Sequence, residues 1–80
     1  MELDLHGLEI AEAMIEIYLS LEDCKKNGDS IITFIHGFHG GQSLKNSIRS
    51  PRFLKELYKH GYQLKKSDYK DPGKTTFLIL

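Results

Sequence analysis

Two histidine-glycine pairs, His6-Gly7 and His36-Gly37, each follow an aliphatic residue at the end of a β-like run, Leu5 in one case and Ile35 in the other. Imidazole changes charge near neutral pH, so two brought together could serve as general base and general acid. One would take the proton of an attacking hydroxyl and the other would protonate the leaving oxygen, chemistry that cuts RNA without a metal. Asp4 stands two residues before His6, which in a strand puts both on one face, where a carboxylate can orient the ring or raise its basicity. Asp4, His6 and His36 are therefore the candidate catalytic residues. Joined by His39, the same side chains could instead hold a divalent metal. They could equally be structural, bonding backbone carbonyls at strand ends, and spacing alone leaves the three uses open.

The stretch after His36 is a second source of chemistry. Gly37, Gly40 and Gly41 are three of the seven glycines, and such a loop can turn several backbone N–H groups toward a phosphate. A helix starting near Ser43 would add its positive end, and Lys45 and Arg49, four apart, would share one helix face. The candidate nucleic-acid contacts are Gly37, His39, Gly40, Gly41, Lys45, Arg49, Arg52 and Lys74. Gly73-Lys74-Thr75 resembles the end of a phosphate-binding P-loop, but that loop needs a glycine where Asp68 stands, so nucleotide hydrolysis is not supported.

These residues need strands and helices to position them. Residues 2 to 6 alternate, with Leu3 and Leu5 on one side and Asp4 and His6 on the other, and Gly7 ends the strand. From Leu8 to about Lys26 the apolar positions Ala11, Met14, Ile15, Tyr18 and Leu21 recur at helical spacing, and Asn27-Gly28 is a stop signal. Residues 30 to 35 (SIITFI) form a β-branched and aromatic run without polar alternation, as in a strand buried on both faces or central in a sheet. Leu44 and Ile48 suggest a short helix. Ser50-Pro51 then opens a second helix, or a bent continuation, with Phe53, Leu54, Leu57 and Tyr58 as its apolar stripe. A polar strand over 62 to 69, a turn at Asp71-Pro72-Gly73 and an apolar strand over 75 to 80 complete the chain. The expected order is β-α-β-α-β-β, an α/β two-layer sandwich whose mixed sheet combines a parallel crossover with a closing hairpin. Both histidine-glycine pairs would then emerge at one carboxyl edge, where open α/β sheets hold their ligands.

Eighty residues suffice for one domain, expected to span 1–80, and hydrophobic and charged residues at 40% and 28% are ordinary for a folded protein. No membrane-length apolar run and no signal-peptide layout are present, so a cytoplasmic location is expected. Cys24 has no partner in the chain, which fits a reducing compartment and a buried thiol. The net charge of zero conceals an asymmetry. Residues 1 to 30 carry eight acids against two lysines, whereas residues 31 to 80 carry nine bases against three acids, so one basic face is conceivable.

Leu3-Asp4-Leu5-His6-Gly7 followed by Glu12-Ala13 in a helix resembles the opening LDLHG motif of Smr (small MutS-related) domains. His36-Gly37 and its glycine loop resemble the family's second, HGxG-type motif, and Gly73-Lys74-Thr75 is similar to its closing glycine-x-threonine element. The resemblance implies the fold of the C-terminal domain of translation initiation factor 3, and a nucleic-acid function: the family is associated with DNA and RNA binding and, in several members, with endonuclease activity. By the same resemblance Asp4 and His6 carry the first motif, and His36 and Gly37 the second. The chain departs from the pattern at Phe38, where a basic residue is usual, and at His39, where a second glycine is expected. Many members are fused to larger proteins; this chain, opening on Met1, is expected to stand alone. DNA or RNA is thus the expected partner, with phosphodiester cleavage as the expected chemistry and a divalent metal as a conceivable cofactor. The alternative is a non-catalytic nucleic-acid or protein interaction module with structural histidines.

Overall fold

A computed structural model describes residues 1–38 and 42–80. The elements run β1 (Glu2–Asp4), α1 (Ile10–Asn27), β2 (Ile31–Ile35), α2 (Gln42–Ile48), α3 (Pro51–Lys59), β3 (Leu64–Asp68) and β4 (Lys74–Ile79). Two separate helices thus fill residues 42 to 59. The break falls at Ser50, whose hydroxyl donates to the Ser47 carbonyl at 2.8 Å, with Pro51 setting the first turn of α3. At the start of α1, Glu12 reaches back to accept the Glu9 backbone N–H at 3.0 Å, one arm of a capping box. At its end Gly28, in a left-handed conformation, donates its N–H to the Cys24 carbonyl.

The four strands form one mixed sheet in the order β1-β2-β4-β3. β1 pairs with β2 in parallel, while β4 is antiparallel to both of its neighbours. β2 is central, yet only one of its faces is buried: Ile32 and Phe34 are sealed, whereas Ile31 is exposed and Thr33 and Ile35 are half-buried. On that open face Thr33 and Thr76, opposite one another on β2 and β4, share a hydroxyl hydrogen bond of 2.8 Å.

The core lies between the other face and the helices. Phe34 of β2, Phe53 of α3 and Phe77 of β4 meet with ring centroids 5.7 to 6.0 Å apart, distances at which tilted and edge-on rings attract. α1 contributes Ala13, Ile17, Leu21 and Cys24. This is not the expected stripe, because Ala11 and Ile15 face solvent and Met14 and Tyr18 are only half-buried. Burial pushes the Cys24 thiol above its ordinary pKa, the reverse of what a reactive thiol needs. Tyr62, after α3, donates its hydroxyl to Glu22 of α1, tying the long helix to the entry of β3.

Candidate nucleic-acid interface at the sheet edge

In the parallel pair Asp4 lies opposite Ile35, and the Leu5 N–H donates to the Ile35 carbonyl at 2.7 Å. Both histidine-glycine pairs therefore leave the sheet at the same carboxyl edge. Gly7 and Gly37 have φ of 80° and 91°, a left-handed region that side chains with a Cβ rarely enter. The glycine after each histidine is thus what lets the chain turn off the end of its strand.

The two imidazoles, however, face different surroundings. Partners across a ladder point to the same side, so Asp4 and Ile35 share the open face, while Leu5 and His36, one residue on, share the helix-covered face. His6 is exposed. Its Nδ1 lies 2.6 Å from Asp4 Oδ1, and its backbone N–H donates to that same oxygen at 3.1 Å. These two bonds, the side-chain one foremost, lower the pKa of Asp4 below its ordinary value. An ionised carboxylate only accepts, so Nδ1 donates to it and Nε2 is the ring nitrogen left outside this contact.

His36 is 1% exposed and bonded inward. Its Nε2 lies 2.9 Å from Thr75 Oγ1, and its Nδ1 faces the Gly37 carbonyl at 3.4 Å. Arg49 Nε donates to the same Thr75 oxygen at 2.8 Å. All three groups are satisfied when the Thr75 hydroxyl donates to Nε2 and the ring proton sits on Nδ1. Burial, reinforced by the nearby charges of Arg49 and Lys45, pushes the His36 pKa below its ordinary value, so the ring is held neutral.

Arg49, just past α2, spends further donors on the Asp71 carbonyl at 2.7 Å and the Lys74 carbonyl at 3.0 Å, and its guanidinium lies 5.1 Å from the centre of the Tyr69 ring. The Gly73 carbonyl in turn accepts from the backbone N–H groups of His36 and Gly37, at 3.0 and 3.1 Å. The closing turn is thereby fastened to His36 and Gly37 at the end of β2. Thr75 and Asp71 belong to this arrangement and were not among the expected site residues. The only sequence signal for Thr75 was its place in the Gly73-Lys74-Thr75 element.

Lys74 is exposed and pairs with Ile35, so Asp4, Ile35 and Lys74 form one row across β1, β2 and β4. The pleat puts that row on the open face, with Asp4 and Lys74 two strand spacings apart, about 10 Å. Lys45 is half-buried on α2, and Arg52 is exposed in the first turn of α3 beside Ser47 and Glu56. His39, Gly40 and Gly41 lie outside the described residues. Asp4 and His6 offer a metal two donors, and among the described residues no group of three or more histidine, cysteine or acidic side chains gathers. Among those residues, too, no helix is long and apolar enough to cross a membrane.

A two-layer α/β domain whose mixed sheet presents a carboxylate-imidazole pair at the carboxyl edge of its parallel strands defines the class of this protein. The chain belongs to the Smr domain family, whose model matches residues 3–75. The solved Smr domain of MutS2 from Thermus thermophilus is similar over 99% of this chain and 96% of its own, with a TM-score of 0.70 and 26% sequence identity. No curated protein matches the chain. The family is one known for nucleic-acid binding and nicking.

Proposed function

We propose that this chain binds DNA or RNA at the carboxyl edge of β1 and β2, and that Asp4 and His6 cleave a phosphodiester there. The observation that carries the reading is the exposed 2.6 Å contact between His6 Nδ1 and Asp4 Oδ1. It leaves Nε2 free to take the proton of an attacking water or 2′-hydroxyl as the oxygen bonds to phosphorus. The protonated ring or solvent then supplies a proton to the departing oxygen, so the ring ends neutral or is reset by water. Lys74, in the Asp4 row, would meet a phosphate oxygen, and Lys45 would add positive charge from α2, with Arg52 and the backbone of Gly37 as further contacts. In this reading His36 and Arg49 are positioning residues: through Thr75 and the closing turn they fix where the strand ends lie.

Burial of His36 favours a second reading. The imidazole that would act as a partner acid is bonded to Thr75 inside the protein, which suits a module that binds without cutting.

Labelled single- and double-stranded DNA and RNA, incubated with purified protein with and without EDTA, test both. Cleavage in at least one substrate is expected to fall about 10²- to 10⁴-fold in His6→Ala, the usual worth of a general base, with binding retained. Cleavage untouched by His6→Ala would remove His6 from the chemistry. Binding without cleavage of any substrate would leave the non-catalytic reading, and binding to none of the four would overturn both.

A further inference from the structure

At the far end of β3 from the candidate edge, α3 and β3 enclose a groove of about 410 Å³, lined by Leu54, Lys55, Tyr58, Lys59, Gln63 and Leu64. That volume lies within the roughly 300–1,000 Å³ of small-molecule sites. Leu64 is buried and Leu54 half-buried, so the floor is apolar. Tyr58, however, is 66% exposed, an aromatic ring left on the surface beside two exposed lysines. The Gln63 amide adds a donor and an acceptor at the rim.

Charge says what fits. From residue 51 to residue 70, which covers α3, β3 and their connections, stand Arg52, Lys55, Lys59, Lys65, Lys66 and Lys70 against Glu56 and Asp68. Glu56 pairs with Lys59 at 3.5 Å, an exposed i,i+3 contact that water and salt screen. The ligand that complements an apolar floor, an exposed aromatic ring and a line of cations is a polyanion carrying flat apolar groups. Aromatic platforms beside basic tracks are how single strands are held, because every base offers a π-face whatever its identity. A duplex keeps its bases stacked inside and has none to offer.

We infer that the groove between α3 and β3 holds an unpaired nucleobase of a single-stranded nucleic acid, stacked on Tyr58, with the flanking phosphates on Lys55 and Lys59. This rests on the nucleic-acid reading above and extends it to a second contact. Leu64 pairs with Ile79 and Asp68 with Thr76, so the groove and the candidate edge lie at opposite ends of β3. The four steps from Leu64 to Asp68 span about 13 Å, with Lys65 and Lys66 on alternate faces along them, and β1 lies a further three strand spacings, about 14 Å, across the sheet. A strand that occupies the groove must follow β3 and then cross β4 and β2 to reach Asp4 and His6, a span of about 20 Å that a flexible single strand of a few nucleotides covers.

The test compares an oligothymidylate of about twelve nucleotides, within the site sizes of single-strand binders, with an abasic strand of equal length and a duplex. The parent protein is expected to prefer the oligothymidylate to the abasic strand by about five- to hundredfold, the worth of one stacked base. Tyr58→Ala should abolish that preference and Tyr58→Phe should restore it, with duplex affinity unchanged in both. Circular dichroism checks the fold, and the parent's own comparison needs no variant. A parent that binds both strands equally, Tyr58→Ala that binds oligothymidylate as tightly as the parent, or a polyglutamate peptide that binds as well as the oligothymidylate would each overturn the groove. A parent that binds no nucleic acid at all would overturn the functional reading with it.

Discussion

His6 and His36 show how two identical sequence signals can end in opposite chemistry. Each imidazole precedes a glycine at a strand end, but the ladder register turns one toward solvent and Asp4 and the other toward Thr75 in the interior. Burial lowers the His36 pKa, so the unfolded chain takes up a proton there more readily than the folded one. The stability that the neutral ring supports is therefore fully present above its unfolded pKa of about 6.5 and is lost as pH falls from there through the folded value. One such group changes stability by at most about 1.4 kcal/mol per pH unit. Asp4, whose pKa is also lowered, loses its contribution only below its ordinary 3.8, outside that window. Urea midpoints of the parent should fall between pH 7 and pH 5 more steeply than those of His36→Gln, in which nothing titrates at this position. Parallel profiles would show that the buried imidazole does not govern acid sensitivity.

Among the elements, α1 separates what periodicity reveals from what packing decides. Ile10, Ile15, Ile17, Leu19 and Leu21 place branched apolar residues around more than one side of this helix, so its spacing admits two stripes. The sheet selects Ala13, Ile17, Leu21 and Cys24, leaving Ile15 61% exposed. Ile17→Ala should cost about 2–5 kcal/mol, since it opens a cavity against Phe-rich packing, whereas Ile15→Ala should stay within roughly 0.5 kcal/mol. Urea denaturation of the two variants checks this, and equal losses would mean that the helix packs through the other stripe. The same division runs through the rest of the chain. Alternation over Glu2 to His6 and the stop at Asn27-Gly28 made the parallel unit legible, and Asp71-Pro72-Gly73 marked the closing hairpin. The facing of His36 was not legible, because residues 30 to 35 lack polar alternation and give no inward side. Nor was its partnership with Thr75 and Arg49, since those side chains come from elements far apart in sequence and meet only when β4 inserts beside β2. Asp4 and His6, two residues apart in one strand, were readable because their contact needs nothing beyond the pleat.

For the whole molecule, zero net charge and polyanion binding are reconciled by where the charges sit. The acids of α1 and β1 offset the bases of α3, β3 and β4 in the total, but the molecule extends 32 × 24 × 21 Å, and screening at physiological salt acts over about 8 Å. A phosphate at the start of β4 therefore responds mainly to Lys74 and its immediate neighbours, with the distant acids muted. As salt is lowered, those acids reach further and repel the same polyanion, so affinity should gain less than a count of eleven bases implies. Each neutralised phosphate contributes about −0.9 to the logarithmic salt slope for duplex and about −0.7 for a single strand. Three or four lysine contacts then give a slope of about −2 to −3 for single strands. Lys74→Ala should make the slope shallower by one such increment, whereas Lys26→Ala, at the end of the acidic helix, should leave it unchanged. Titrating an oligonucleotide at several salt concentrations measures both. A flat slope in the parent would show that contacts other than phosphates hold the nucleic acid, and a slope that falls equally in both variants would show that the protein acts through its net charge rather than through one basic edge.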